Sequence, residues 1–317
     1  MTTRALRTLL EGAIDYAGLF PPAALPMAEA AANYHAYRQG DDAWALGRFV
    51  VPVARLGEFA EAASGLWPHG ETAAPWRVSA VLGGGDPSAN AGQALAAEVE
   101  AVAAFNTRHG RSGGIVPDGE RGGAWVDTAE LRCVRPDDVH AAREAIPRWV
   151  ETYVEVPVTG DPEPLVRAIA DAGLKAKIRT GGVTAGAFPT AAQVARFMSH
   201  CARCRVPFKA TAGLHHPLRA EFPLTYEKAA PAATMFGYVN VLLAAVYVRH
   251  GMDETSAAQL LEERDATAIA DLGDAIEWRG HRLAADALRA AHSDFMLAFG
   301  SCSFTDPMRE GRALGLI

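Results

Sequence analysis

The sequence predicts an α/β protein: a single (β/α)8 TIM barrel over residues 1–317, with a long helical insertion between its seventh and eighth strands. Short β-branched runs alternate eight times with Ala-rich helical segments. Eight is the number of parallel strands that closes this barrel, and 317 residues is a usual length for it. No linker or low-complexity tract divides the chain, so one domain is expected.

Each predicted strand is an apolar run bounded by Gly, Pro or polar residues. In chain order the runs are AIDYAGLF from Ala13, GRFVVPV from Gly47, WRVSAVLG from Trp76, AELRCV from Ala129, ETYVEVPV from Glu151, LKAKIRT from Leu174, VPFKATAG from Val206 and FMLAFGSCSF from Phe295. Glycines 83–85 indicate a turn after the third strand, and the Gly-rich segment 110–123 indicates a loop.

Ala-rich segments predict the helices of the barrel at 27–38, 56–65, 91–109, from Pro136 onwards, at 163–172 and at 190–204. The connection from Gly213 to about Asp294 is much longer than the others. We expect it to hold an apolar helix at 229–248, a helix at 255–266 and a small hairpin in AIEWRGHRL. A short helix follows the eighth strand.

The uncharged stretch 229–248 is about as long as a membrane span. It contains Pro231, Gly237 and Asn240, and its apolarity is moderate. A buried helix or the interface of a homo-oligomer is therefore expected, and binding to a membrane is not.

The composition excludes several classes of protein. A net charge of −7 without a basic run argues against a nucleic-acid partner. Four cysteines do not make a disulfide framework. Glu11 and Asp15 stand where a secretory signal would be apolar, so we expect no signal peptide and a reducing cytoplasm.

Only four of the 30 basic residues are lysines, and Lys175, Lys177 and Lys209 lie in the sixth and seventh predicted strands. A lysine amine can lose its proton and become a nucleophile, whereas a guanidinium cannot. Side chains alternate along a strand, so Lys177 shares a face with Arg179, and Lys209 with Thr211 and Gly213. If both faces point inward, desolvation and the Lys209 cation are expected to lower the pKa of Lys177. A neutral Lys177 can form a Schiff base with a carbonyl compound.

Acidic residues on other strands are candidates for proton transfer. Glu130 and Glu155 lie on neighbouring predicted strands, and Asp15 lies on the first. Taken singly, each is better explained as a structural ion-pair partner. His215 and His216, with Glu155 or Asp15, are candidate metal ligands, although adjacent strand residues point in opposite directions.

Four strand-end segments carry a resemblance to a known family: IDYAGLFP from Ile14, KIRTG from Lys177, KATAGLH from Lys209 and FGSCS from Phe299. In this order they resemble the motifs of the deoxyribose-phosphate aldolases, a class I aldolase family with a (β/α)8 barrel. There the segments read Ile-Asp-x-x-x-Leu-x-Pro, Lys-Thr-Ser-Thr-Gly, Lys-Pro-x-Gly-Gly-Ile-Arg and Phe-Gly-x-Ser-Ser.

The resemblance implies that Lys177 forms the Schiff base, that Lys209 perturbs it, and that Glu130 takes the place of the proton-relay aspartate. In the family, glycines after the seventh strand and serines after the eighth bind a phosphate. Here those positions include Ala212, His215 and Cys302, so a phosphorylated sugar is not expected.

The sequence therefore predicts a class I aldolase or lyase, metal-independent and without a cofactor, that acts on a small carbonyl compound. Its substrate is expected to be anionic but not phosphorylated, because Arg179 stands beside the reactive lysine. The predicted catalytic residues are Lys177, Lys209 and Glu130. The predicted substrate-binding residues are Asp15, Glu155, Arg179, Thr211, Gly213, His215, Gly300, Ser301, Cys302 and Ser303.

Two alternatives stay open at this point. One is a metal-dependent hydrolase or isomerase that uses His215, His216 and carboxylates. The other is a barrel without chemistry that binds a ligand.

Overall fold

In the computed structural model, eight parallel strands close a barrel with helices around it, which confirms the predicted (β/α)8 fold. The structure describes residues 5–68, 74–83, 93–110 and 123–317. The barrel strands are β1 (Ile14–Tyr16), β2 (Leu46–Pro52), β3 (Trp76–Val81), β4 (Ala124–Arg132), β5 (Glu151–Glu155), β6 (Lys175–Arg179), β7 (Phe208–Thr211) and β13 (Met296–Ser301). The first seven follow one another around the wall, and β13 closes it between β7 and β1.

The helices are α1 (Ala5–Leu10), α2 (Met27–Gln39), α3 (Leu56–Ala63), α4 (Gln93–His109), α5 (Pro136–Ala145), α6 (Glu163–Asp171), α7 (Ala191–Cys204), α8 (Tyr238–Arg249), α9 (Glu254–Leu261), α10 (Ala285–Asp294) and α11 (Thr305–Ala313). Local signals explain several boundaries. For example, α7 begins where the side chains of Thr190 and Gln193 cap each other's backbone N–H groups. The sequence did not predict α1 or α10. The glycine turn expected at 83–85 and most of the loop expected at 110–123 lie outside the described residues.

The insertion between β7 and β13 has more structure than the sequence predicted. It contains a two-stranded hairpin of β8 (Ala220–Pro223) and β9 (Ala232–Met235), and a small sheet of β10 (Ile269–Asp271), β11 (Ala275–Trp278) and β12 (His281–Ala284). The hairpin expected in AIEWRGHRL is confirmed as β11 and β12. The first hairpin was not expected.

The predicted apolar helix at 229–248 begins only at Tyr238, because the preceding residues are extended in β9. Gly237 precedes the helix in close contact with another segment: a Cβ at this position would lie 2.3 Å from Leu218 Cα. This helix, α8, belongs to the helical layer around the barrel, and residues 238–248 are all buried within the chain. Asn240 is the polar exception, and its amide donates to the carbonyls of Leu260 and Glu263.

Because α8 is covered by its own chain, the exposed apolar surface that motivated a homo-oligomer does not exist. The oligomer therefore has no structural support. Among the described residues, none of the helices combines the length and apolar character that crossing a bilayer requires.

Inside the barrel, charged side chains close the end where the strands begin. Arg48 pairs with Asp127 and with Glu151, at 2.7 Å in each case. Lys175 also pairs with Glu151, as does the hydroxyl of Tyr153 at 2.7 Å. We call Arg48, Asp127, Glu151 and Lys175 the amino-end charge layer. Lys175 therefore lies away from the mouth of the barrel that Lys177 approaches, although only one residue separates them.

Because of the amino-end charge layer, we expect the protein to become less stable in acid. Burial alone would raise the pKa of Glu151, but Arg48 and Lys175 lower it from 4.5 to about 2. Because the folded pKa is the lower one, the stabilisation is complete above about pH 4.5 and disappears as the pH falls towards 2. We expect Glu151 alone to account for a loss on the order of 3 kcal/mol over this window, measured by urea unfolding.

The variant Glu151→Gln should be less stable at pH 7 and should show a shallower pH dependence between 4.5 and 2. Asp286→Asn is the control, because Asp286 forms an exposed ion pair with Arg289. Equal acid sensitivity of the parent and Glu151→Gln would contradict the assignment.

Candidate active site

A cavity of about 640 Å³ opens at the carboxyl ends of the barrel strands, and the β8–β9 hairpin forms part of its rim. The carboxyl ends of the strands are where barrel enzymes place their reacting groups. The predicted site residues on its wall are Glu130, Glu155, Lys177, Arg179, Lys209, Thr211, Gly213, His215, Gly300 and Cys302. The structure thus brings predicted site residues from five neighbouring strands, β4 to β7 and β13, into one pocket.

The two lysines are neighbours in register on β6 and β7, as their parity predicts. The carboxylate of Glu130 joins them: Oε1 lies 2.7 Å from Lys209 Nζ, and Oε2 lies 3.1 Å from Lys177 Nζ. Ser79 donates its hydroxyl to Oε1 of the same carboxylate at 2.7 Å. Lys177, Lys209 and Glu130 are all buried.

Lys209 is held as a cation. Burial alone would lower the pKa of Lys209, but the carboxylates of Asp15 and Glu130 raise it above its ordinary value. Asp15 Oδ2 lies 2.5 Å from Lys209 Nζ, and Asp15 Oδ1 accepts a hydrogen bond from the backbone N–H of Arg48. Asp15 was predicted to contact the substrate, but it is fully buried and is not among the residues that line the cavity. Its carboxylate contacts Lys209 instead.

Glu130 is held as an anion. Burial alone would raise the pKa of Glu130, but Lys209 and Lys177 keep it well below its ordinary value. Glu155 contributes a second carboxylate, with Oε2 at 3.0 Å from Lys177 Nζ. Lys177 is the one ion-pair partner of Glu155 within the described part of the chain. The Lys177 ammonium thus has two carboxylates to which it can give a proton.

The turn after β7 contains two consecutive residues with positive φ. Ala212 has a φ of 64° and Gly213 a φ of 77°, both in the left-handed region. The hydroxyl of Thr180 donates to the carbonyl of Ala212 at 2.7 Å, which holds an alanine in a conformation that favours glycine.

The serines after β13 do not reach the cavity. Ser301 donates its hydroxyl to the carbonyl of Ser303 at 2.6 Å and contacts His215 Nδ1 at 3.1 Å. Ser303 accepts from the backbone N–H of Asp306. Both serines were predicted to contact the substrate, but neither is among the residues that line the cavity. Their hydroxyls stabilise the loop instead.

His215 and Cys302 face each other without forming a reactive ion pair. Burial lowers the pKa of His215 to about 4 and raises the pKa of the Cys302 thiol. At neutral pH both groups are therefore uncharged, with Sγ and Nδ1 at 3.7 Å. A nucleophilic Cys–His pair would need a thiolate.

The two histidines do not converge as metal ligands. His216 Nδ1 contacts Glu310 Oε2 at 2.6 Å, and its ring stacks on Phe222 with centroids 3.4 Å apart. The ring of His215 is 6.4 Å from that of His216 and nearly perpendicular to it. The geometry therefore does not support the metal centre considered from the sequence.

A different group of potential metal ligands lies outside the barrel. Within the described residues, Asp161, Glu163 and His200 bring ligand atoms within 4.8 Å of one another. Arg203 contacts His200 Nδ1 at 2.8 Å, and Arg167 contacts Glu163 at 2.5 Å. Two guanidinium groups already supply positive charge there. This cluster is therefore better explained as an ion-pair network on the surface than as a metal site.

Sequence reasoning missed several cavity residues, among them Arg132, Tyr226 and Asp306. Arg132 follows Glu130 by two positions on β4, so the parity that was applied to the lysines would have found it. Tyr226 belongs to the unpredicted β8–β9 hairpin, and its hydroxyl lies 3.7 Å from Cys302 Sγ. No local sequence pattern predicts that the tip of a hairpin lies over the mouth of the barrel.

Comparison with known proteins adds little. No family model matches the chain, and no curated protein matches it. Among solved structures it is similar to the spore cortex-lytic enzyme SleL of Bacillus megaterium QM B1551, with a TM-score of 0.35 and 13% identity. The match covers 75% of this chain and 58% of that one. A similarity this low carries no argument about function.

We expect Lys209→Met to destabilise the fold strongly. It leaves Asp15 buried without the cation that it contacts and Glu130 with Lys177 alone, and breaking a buried ion pair costs about 3–5 kcal/mol. The double variant Lys209→Met/Asp15→Asn should recover part of the loss, because it also removes a buried charge. Both effects are measured as changes in the free energy of unfolding in urea.

Lys228→Met is the matched control, because Lys228 is exposed and its loss should change stability by less than about 0.5 kcal/mol. Unchanged stability in Lys209→Met would contradict the role given to this cluster.

Proposed function

We propose that this protein is a class I aldolase or lyase in which Lys177 forms a Schiff base with a carbonyl substrate. The observation that carries the proposal is the surroundings of Lys177 on the cavity wall. Its amine contacts two carboxylates, and Glu130 links it to the Lys209 ammonium. The resemblance to the deoxyribose-phosphate aldolases supports the same assignment through the two lysines.

Lys177 must first lose a proton, and Glu155 is the better acceptor. Both oxygens of Glu130 are already engaged, by Lys209, Ser79 and Lys177, and these contacts stabilise its negative charge. Glu155 has only its contact with Lys177 among the described residues and is on the cavity wall. We therefore assign proton transfer to Glu155, and to Glu130 the role of holding both lysines.

The reaction then proceeds through an iminium ion. The lone pair of the Lys177 amine forms a bond to the carbonyl carbon as the carbonyl π bond breaks. The oxygen receives one proton from the amine nitrogen and a second from the protonated carboxylate, and it leaves as water. A carboxylate takes the proton of a hydroxyl group β to the iminium carbon. The carbon–carbon bond breaks, an aldehyde leaves, and the electron pair moves to the iminium nitrogen, which gives an enamine. Protonation of the enamine carbon and addition of water release the second product and restore Lys177.

Lys209 is suited to stabilise the oxygen of the substrate rather than to attack it. Its raised pKa keeps it protonated. Asp15 and Glu130 take two of its three N–H donors, and the remaining one is available to the alkoxide that forms when Lys177 adds to a carbonyl.

We expect Lys177→Arg to abolish trapping by borohydride of an adduct with an aldehyde or ketone. Arginine keeps the charge but supplies no neutral nitrogen at physiological pH. The measurement is intact mass, with the modified residue located by peptide mapping. Lys228→Arg is the control, since it replaces an exposed lysine and should leave the adduct unchanged.

Lys209→Arg should be milder than Lys177→Arg, because the cation remains. An adduct at residue 177 is still expected, formed more slowly. An adduct that persists in Lys177→Arg would contradict the Schiff-base assignment. Absence of any adduct in the parent with every carbonyl compound tried would favour a barrel that only binds a ligand.

Glu155→Gln should slow adduct formation by about 10²-fold, because the amide cannot accept the proton that Lys177 must lose. Glu221→Gln, on the exposed part of the hairpin, is the matched control. The rates are compared over a pH series. An unchanged rate in Glu155→Gln would return the proton-transfer role to Glu130.

A further inference from the structure

We propose that the substrate is an apolar carbonyl acid: its carboxylate binds Arg179, and its apolar group packs against the half of the barrel mouth formed by β1–β3. This inference rests on the proposed Schiff-base function and names the class of molecule that the cavity would admit. The distribution of apolar and charged groups around the cavity wall supports this assignment.

Among the described residues, the wall has a charged half and an apolar half. Glu130, Glu155, Lys177, Arg179 and Lys209 come from β4 to β7, whereas the side of β1 to β3 contributes Phe20, Pro21, Val50 and Val81. The hairpin adds the apolar Leu224 and Met235, beside the polar Thr225, Tyr226 and Glu227 at its tip. A sugar lying against this half would lose water from its hydroxyl groups without gaining hydrogen bonds, which is costly. A hydrocarbon group would gain from the same contact.

Arg179 supplies the cation for an anionic substrate. It follows Lys177 by two residues on the same face of β6, one step nearer the mouth, and its side chain is exposed to the cavity. No carboxylate pairs with it within the described part of the chain, whereas Lys177 and Lys209 are both paired. A guanidinium binds a carboxylate through two parallel hydrogen bonds, so Arg179 is suited to this group.

The part of the wall after β7 and β13 does not suit a phosphate. His215 is uncharged at neutral pH because burial lowers its pKa to about 4. Asp306 presents a carboxylate there, and its partner Arg309 is not on the wall. The hydroxyl of Ser301 is used within its loop. A phosphate at this end would therefore meet a negative charge.

The size of the cavity agrees with this class. About 640 Å³ is within the range of pockets that enclose a drug-sized ligand. A carbonyl compound of a few carbons would leave most of the apolar half in contact with water. A group the size of a phenyl ring would cover it.

Binding of compounds without a carbonyl tests recognition separately from chemistry. Titration calorimetry would compare 4-phenylbutanoate with butanoate and with 4-phenylbutan-1-ol. We expect 4-phenylbutanoate to bind at least about 10-fold more tightly than either, because only it offers both groups. Arg179→Gln should abolish the preference for the acid over the alcohol, and Arg203→Gln on the surface of α7 should not.

Phe20→Ala should weaken the binding of 4-phenylbutanoate several-fold and leave butanoate unaffected. Equal binding of butanoate and 4-phenylbutanoate, or an undiminished preference for the acid in Arg179→Gln, would overturn the proposal.

Trapping with borohydride completes the test. We expect 2-oxo-4-phenylbutanoate to form an adduct at Lys177 faster than glyceraldehyde 3-phosphate does. An adduct that forms faster with the phosphate compound would overturn the substrate class and leave the Schiff base standing. Selective binding of 4-phenylbutanoate without any adduct would support the recognition and overturn the chemistry.

Discussion

The carboxylate of Glu130 is the contact on which the interior of this barrel depends. It joins Lys177 and Lys209 and accepts a hydrogen bond from Ser79, so it ties β3, β4, β6 and β7 together. Asp15 extends the same network to β1. Buried charges are costly unless each has a partner, so the cluster is stable only when the barrel is closed. The arrangement of the site residues and the closure of the barrel therefore depend on the same ion pairs.

The balance of charge around the lysines differs from the one that the sequence suggested. Parity along the strands placed two ammonium groups together, and the expected consequence was repulsion between them. The structure pairs the lysines with Asp15, Glu130 and Glu155, which the sequence had offered only as separate candidates, so carboxylates outnumber the ammonium groups. In the proposed reaction a proton must therefore move before Lys177 can react, which makes the proton acceptor as important as the nucleophile. Partners that lie across a barrel leave no periodic trace in the sequence.

Features that repeat at short range were predictable, and features that depend on tertiary packing were not. The period-2 alternation in β6 and β7 gave the side of the wall on which Lys177 and Lys209 lie. The inward position of Asp15, beneath the cavity, follows from its pairing with Lys209, which is 194 residues away. In the same way, Ser301 was expected to bind substrate, but its nearest acceptor is the carbonyl two residues later.

The β8–β9 hairpin belongs to a segment that α8 anchors in the outer layer, whereas Lys177 and Lys209 belong to the strands of the wall. The rim and the floor of the cavity are thus encoded in separate stretches of the chain. Substitutions at Leu224, Tyr226 or Met235 can reshape the entrance while the floor keeps its ion pairs. A barrel built in this way can acquire new selectivity by exchange of one surface segment, and a library confined to that hairpin is the natural starting point for engineering it.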